Sequence, residues 1–251
     1  MTPNLLILGG TTESAALAKA LAGAGFKAVL SFAGRVAKPA EQPLPIRVGG
    51  FGGAQGLAAY IQENAVTHVV DATHPFAAQM STNAVSACDQ TGVPLIALTR
   101  PEWSAEQGDT WTRVPDIDAA VVALDRPAAS VFLAVGRMHI AEFAAQPQHH
   151  YLLRFVDPPE GSLALPDSHV ITARGPFRHD DDLALMRAQN VQVVVSKNAG
   201  GTGAVAKITA ARALGLEVIM IDRPVVPARR EVSTMEAVLD WLDHASTDRG
   251  V

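Results

Sequence analysis

Short apolar runs punctuate this chain, and stretches with apolar positions at helical spacing lie between many of them. In the first half the runs occupy residues 5–8, 28–30, 46–48, 66–70 and 95–98, and helical patterns fill 15–22, 54–63 and 76–89. Strands separated by helices require crossover connections, which build a parallel sheet covered on both faces. Gly23, Gly25 and Gly92 fall where those helices should stop. The Pro- and Gly-rich connection over residues 34–53 is predicted to run over the surface with one short strand inside it.

Residues 102–127 lose this rhythm, with Trp103, Trp111 and prolines at 115 and 127. They read as a crossover with a strand at 111–114. The rhythm resumes with runs at 131–135, 151–156, 169–172, 191–195 and 218–221, with helices expected between the last three. The halves also echo each other. Asp71 closes a run that leads through a helix to a second run and Arg100-Pro101, and Ser196 leads in the same way to Arg223-Pro224. The predicted fold class is therefore α/β, as two Rossmann-like doubly wound parallel-sheet domains facing a shared cleft. The expected boundaries are 1–101 for the first domain, 102–129 for the crossover and 130–251 for the second domain.

Composition narrows the setting. With 251 residues, 48% hydrophobic and 18% charged, the chain is long enough for two modest α/β domains. No apolar run reaches the roughly 18 residues that a membrane span needs, and no basic segment with an apolar core opens the chain. Cytoplasmic residence without membrane contact is expected. Cys88 is the single cysteine, so no intrachain disulfide forms, and its helical neighbours predict a buried, inert thiol. The net charge of −5 disfavours nucleic acid as a partner. Residues 1–129 carry 8 basic against 11 acidic side chains and the remainder 12 against 14, so any anion site must be a local cluster.

Ligands of open α/β sheets bind beyond the carboxyl ends of the strands, and those segments carry the candidate chemistry. The first run ends in Gly9-Gly10-Thr11-Thr12-Glu13 and enters a helix. Glycines admit a close approach, and the first-turn N–H groups and helix dipole favour an anion, usually phosphate. A glycine-capped helix with Glu13 in a capping box is the structural alternative. Folds that bind NAD place an acid about 20 residues beyond the glycines for the ribose 2′-hydroxyl. Here that region holds Ser31, Gly34 and Arg35 and no acid, which suits a 2′-phosphate and favours NADPH. Gly49-Gly50-Phe51-Gly52-Gly53 permits close approach of a flat group such as adenine, with Gly50 as a candidate contact. Asp71-Ala72-Thr73-His74 falls near the expected nicotinamide, with Pro75 suited to the first turn of the following helix. His74 is a candidate to orient ribose, touch substrate or donate a proton, or else is simply a residue at a helix entry.

In the second half, Gly136-Arg137-Met138-His139 follows a run and is expected to open a helix. Lys197-Asn198-Ala199-Gly200-Gly201-Thr202-Gly203 combines a cation, an amide, glycines and a hydroxyl at a helix start, an anion-binding composition suited to carboxylates as much as phosphates. It is not a Walker A loop, because Lys197 precedes the glycines. No cysteine pair, His-Glu-x-x-His run or Gly-x-Ser-x-Gly elbow points to a metal or a nucleophile.

Three segments together carry a resemblance: Leu8 to Glu13, Asp71 to Ala77, and Ser196 to Gly201 with Arg223-Pro224. In order and spacing they resemble the precorrin-6A reductase family over nearly the whole chain, with Ala199 where that family often has Ser. The resemblance implies an NADPH-dependent enzyme of cobalamin biosynthesis that reduces one double bond of precorrin-6A to give precorrin-6B. A polycarboxylate macrocycle is then the partner, with handover to neighbouring enzymes of the pathway. On this reading Gly9, Gly10, Thr11 and Thr12 hold the pyrophosphate, with Glu13 in the same cofactor-binding loop, Ser31, Gly34, Arg35 and Gly50 line the adenosine phosphate end, and Asp71, Ala72 and Thr73 the nicotinamide end. Arg137, His139, Lys197, Asn198, Gly200, Gly201 and Thr202 bind substrate carboxylates, and His74 and Lys197 are the candidate catalytic residues, with bound water an equal candidate for the proton donor. A metal-free and a cobalt-containing macrocycle both remain open. On the residues alone, so do a non-catalytic NADPH sensor and a nucleotide-sugar transferase.

Overall fold

The computed structural model describes residues 3–34, 41–159 and 161–247. The chain runs through β1 (Asn4–Leu8), α1 (Thr12–Gly23), β2 (Lys27–Phe32), β3 (Ile46–Val48), α2 (Gly53–Glu63), β4 (His68–Asp71), α3 (Ala78–Thr91) and β5 (Leu95–Leu98). It continues through β6 (Thr110–Val114), α4 (Ile117–Ala123), β7 (Ser130–Ala134), β8 (His150–Phe155), β9 (Ser168–Thr172), α5 (His179–Ala188), β10 (Val193–Lys197), α6 (Ala206–Leu214) and β11 (Glu217–Ile221). It closes with β12 (Glu231–Val232) and α7 (Met235–Thr247). Two parallel sheets result, ordered β12-β5-β4-β1-β2-β3 and β6-β11-β10-β7-β8-β9.

The strand order explains the echo in the sequence. Asp71 pairs with Leu8 and Ala97 in the first sheet, and Ser196 with Ala134 and Met220 in the second, so β4-α3-β5 and β10-α6-β11 are equivalent units. The sixth strands are exchanged along the chain. β6 follows β5 yet pairs with β11, and β12 follows β11 yet pairs with β5.

Two compact units follow from this exchange, Met1–Arg100 with Val225–Val251, and Pro101–Pro224. The expected 102–129 crossover is instead an integral strand and helix of the second unit. The expected 130–251 domain loses its last stretch to the first unit. The physical reason is hydrogen bonding: an edge strand belongs to the sheet whose open edge it satisfies. The two Arg-Pro pairs of the echo stand at the two boundaries.

Side-chain alternation builds the core of the first unit. Leu5 and Ile7 of β1 face one side with Leu17 and Leu21 of α1 and Val238, Trp241 and Leu242 of α7. Leu6 and Leu8 face the other side with Leu57 and Ile61 of α2 and Ala84 and Cys88 of α3. In the second unit Phe132, Leu152, Val194, Val218 and Met220 are buried under Met186 of α5 and Ile208 of α6. Burial pushes the Cys88 thiol up to about 12, and the charges of Asp89 and Asp71 add to it, as expected for an inert thiol. Among the described residues no helix is long and apolar enough to cross a membrane.

Two helix expectations are corrected. The segment after β7 forms two short 3-10 stretches, at Arg137–His139 and Ala141–Ala145, instead of a helix. Gly136 offers no side-chain cap, and Pro147 closes the segment before a long helix can establish itself. Pro75 lies in a turn ahead of α3, which begins at Ala78, with the Ala77 N–H bonded to the His74 carbonyl at 2.7 Å.

Candidate functional site

The loop after β1 in the first unit is built by its own side chains. Thr11 caps α1, its hydroxyl accepting the Ser14 N–H at 3.0 Å and donating to the Ala72 carbonyl at 2.9 Å. Ser14 Oγ in turn accepts the N–H groups of Gly10 and Thr11, each at 3.1 Å. The capping box is therefore Thr11 with Ser14 and not with Glu13. Glu13 accepts from the Thr12 hydroxyl at 3.0 Å and pairs with Arg100 at 3.4 Å. Gly9 is closely packed: a Cβ there would lie 2.6 Å from Leu30 Cδ1 and 3.1 Å from Ser14 Oγ, so the Leu30 side chain would have to shift. Gly10 is required by its backbone, at φ 122°, and open space lies where its side chain would stand. The first-turn N–H groups of Thr12 and Glu13 have no acceptor among the described residues. An outward-facing gap beside unclaimed donors at a helix start fits a pyrophosphate.

At the end of β4 the expected ligand Asp71 is turned inward. Its side chain is 1% exposed and accepts from the Thr73 N–H at 3.1 Å, the Thr73 hydroxyl at 2.7 Å, the Ser81 hydroxyl at 2.7 Å and the Arg229 guanidinium. Its acceptors are used to hold the segment that carries His74. Ala72 is fully buried and contributes its carbonyl to Thr11. His74 Nδ1 accepts the Phe76 N–H at 3.2 Å, which assigns the ring proton to Nε2.

Ser31 is nearly buried near the end of β2, and Gly34, at φ 78°, lies 3.6 Å from Val48 as a Cβ would be placed. Arg35 lies outside the described residues. Sequence reasoning missed Arg47 on β3, directly in register with Ser31. Its guanidinium donates to the carbonyls of Gly49 at 2.5 Å and Gly50 at 2.8 Å, reaches the Ser31 hydroxyl at 3.5 Å and lies 3.8 Å over the Phe51 ring. Its signal in the sequence was its place between Ile46 and Val48, a lone charge inside an edge-strand run.

In the second unit the loop after β10 is held as firmly. Asn198 is buried and bonds the Trp103 backbone twice, accepting its N–H at 2.9 Å and donating to its carbonyl at 3.0 Å. The amide expected to hold substrate is thus committed to the fold. The Trp103 indole donates to the Gly201 carbonyl at 2.7 Å, and Arg223 donates to the carbonyls of Asn198 at 3.1 Å and Ala199 at 3.2 Å. Gly200, at φ 68°, admits no side chain, because a Cβ would lie 2.1 Å from the Pro101 carbonyl oxygen. These contacts occupy the carbonyls of Asn198, Ala199 and Gly201. The N–H groups of Gly200, Gly201 and Thr202 have no acceptor among the described residues. Lys197 stands half-buried at the head of the loop.

Arg137 is exposed after β7, donating to the carbonyls of Asp157 at 2.8 Å and Pro158 at 3.1 Å and lying 5.3 Å over Phe155. His139 pairs with Glu142 at 3.1 Å. No cluster of three metal-ligating side chains occurs among the described residues. The arrangement offers two anion-accepting loops, one in each unit, together with cations fixed by backbone carbonyls.

Comparison with known proteins follows the same lines. Residues 4–243 match the family model described as precorrin-6x reductase CbiJ/CobK. A precorrin-6A reductase from Rhodobacter capsulatus is 60% identical over 249 residues, covering 99% of each chain. A cobalt-precorrin-6A reductase from Priestia megaterium is 30% identical, covering 95% of this chain and 97% of its own. The solved structure of a CobK precorrin-6A reductase superposes with a TM-score of 0.93 at 59% identity, covering 96% of both chains.

Proposed function

Since this chain belongs to the precorrin-6x reductase CbiJ/CobK family, we propose that it reduces one double bond of precorrin-6A to give precorrin-6B, with NADPH as the reductant. Family membership carries the reaction class. The loop after β1 carries the cofactor: open space at Gly10 beside the unclaimed N–H groups of Thr12 and Glu13 suits a pyrophosphate. The choice of NADPH over NADH rests on the end of β2, where Ser31 replaces the acid that would grip a free ribose hydroxyl. The metal-free macrocycle is preferred to its cobalt form because the precorrin-6A relative is twice as similar in sequence.

NADPH supplies the hydride when bound. The protein's part is binding, orientation and the proton. Gly9, Gly10, Thr11, Thr12 and Glu13 form the pyrophosphate loop, and Ser31, Gly34, Arg35 and Gly50 the adenosine end. Asp71 and Ala72 act through Thr11 and Thr73, which they hold in place. His74, with Nδ1 used as an acceptor, presents an Nε2–H donor that orients the reacting region. Lys197, half-buried at the head of the second-unit loop, is assigned the proton that completes the reduction. Arg137, Gly200, Gly201 and Thr202 receive substrate carboxylates, with His139 beside them and Asn198 setting the loop's shape.

The test is anaerobic incubation of the purified protein with precorrin-6A and NADPH, following NADPH absorbance and macrocycle mass. A gain of two hydrogens matched by stoichiometric NADPH loss is expected. Absence of both NADPH binding and turnover would overturn the reading. Lys197→Met should lower kcat with little change in NADPH affinity, and unchanged turnover would reassign the proton donor.

A further inference from the structure

We propose that Arg47 is the residue that selects the phosphorylated cofactor, by receiving a phosphate monoester on the adenosine ribose. The inference rests on the NADPH reading above. Most of the well-fixed arginines of this molecule face a carboxylate: Arg100 with Glu13, Arg154 with Asp182, Arg212 with Asp109 and Arg229 with Asp71. Arg47 differs. Its guanidinium is held by two neutral carbonyls, of Gly49 and Gly50, and by the face of Phe51, and no carboxylate lies within ion-pair distance among the described residues. Tyr60 lies 5.3 Å away and packs edge-on against Phe51, so the aromatic platform is itself fixed. A half-buried cation thus stands held in one orientation with no counter-charge among the described residues.

Its position decides the ligand. Arg47 is the register partner of Ser31 across the parallel β2–β3 pair, and its Nη1 reaches the Ser31 hydroxyl at 3.5 Å. In dinucleotide folds the end of the second strand is where the adenosine ribose is gripped, by an acid for a free 2′-hydroxyl or by an arginine for a 2′-phosphate. No Asp or Glu occurs between Glu13 and Glu41 in this chain, so the acid is missing and a cation stands in its place. A hydroxyl donor beside a planar cation is a complementary set for a dianionic monoester. Arg47 also ties the Gly49-Gly50 turn to the strand end, so binding of the phosphate and the shape of the turn share one side chain.

The experiment measures NADPH and NADH dissociation constants by cofactor fluorescence for the full-length protein and for Arg47→Met and Arg47→Lys. Adenosine 2′,5′-bisphosphate and 5′-AMP serve as competing probes. Methionine keeps an apolar stem over Phe51 while removing the charge, and lysine restores the charge without the fork. Arg47→Met should weaken NADPH by about 10- to 100-fold, the range for loss of a charge-assisted contact, while NADH changes by less than about threefold. The wild-type preference for the bisphosphate over 5′-AMP should collapse in the same variant, and Arg47→Lys should recover part of it. Equal weakening of NADPH and NADH would assign Arg47 to the turn alone and overturn the proposal, as would no weakening at all. A wild-type protein that binds neither nucleotide would instead overturn the cofactor reading. Should the methionine variant fail to fold, the lysine variant still decides, because the ratio of the two affinities is indifferent to overall stability.

Discussion

Arg229→Met is expected to destabilise the first unit and to loosen the segment that carries Thr73 and His74. Asp71 and Arg229 form a buried pair, with side chains 1% and 9% exposed. Removing the cation leaves a desolvated carboxylate without a counter-charge, a change that costs about 3–5 kcal/mol for buried pairs. Asp71 keeps three other donors, from Thr73 and Ser81, so the expected loss is at the low end, about 3 kcal/mol. At ~4 °C per kcal/mol for a unit of this size, the melting temperature should fall by about 12 °C. Asp71→Asn should cost less, about 2 kcal/mol, because Arg229 retains Glu231 at 3.1 Å. The double variant carries neither charge, so its loss should stay near about 3 kcal/mol, a coupling of about 2 kcal/mol. Urea unfolding of the four proteins measures the cycle, with NADPH affinity recorded alongside. Additivity within about 0.5 kcal/mol would show that the two side chains do not act as a pair, and the reasoning would fail.

Further predictions concern the second unit and the thiol. The Arg126 guanidinium hydrogen-bonds Glu217 and, against the opposing effect of burial, holds its carboxyl below the ordinary 4.5, with help from the Thr112 hydroxyl. A carboxyl depressed by folding stabilises above its unfolded value, and that contribution fades as pH falls through the folded one. Glu217→Gln should therefore cost about 0.5–1 kcal/mol at neutral pH, a figure limited by the pair's partial exposure, and the gap in urea midpoint should close in acid. An equal gap at both pH values would contradict it. Gly200→Ala places a Cβ 2.1 Å from the Pro101 carbonyl oxygen at a positive φ. It should cost at least about 1–2 kcal/mol and raise the KM for the macrocycle while sparing NADPH affinity, and an unchanged KM would show that this loop does not meet the substrate. Native protein should resist thiol reagents at mildly alkaline pH, since burial holds the Cys88 thiol near 12. Rapid stoichiometric labelling without unfolding would refute that assignment.

Most strands of both sheets were legible because an apolar run of strand length, closed by glycine or a polar residue, has one interpretation when helical periodicity follows it, whereas the two-residue β12 is too short to leave such a run. The glycine loop after β1 and the Lys197–Gly201 segment were legible for a related reason: backbone requirements at Gly10 and Gly200 show directly as residue type. Residue type said less about where side chains turn. Asp71 and Asn198 look like ligands in a linear reading, and each is consumed by a partner distant along the chain, Arg229 for Asp71 and Trp103 for Asn198. Arg47 had the opposite fate, passed over in a linear reading until β2–β3 register set it beside Ser31.

What the amino-acid order determined by itself is the local part: most of the sheet strands and the helices between them in the first half, where backbone must pass without a Cβ, and the three motifs that carry the family. Only tertiary structure decided which sheet receives β6 and β12, where the units divide, and which polar groups remain available to a ligand. The physical reason is that periodicity and glycine requirements are set by a residue and its near neighbours. Edge-strand pairing and the satisfaction of buried polar groups depend instead on partners brought close only by the fold.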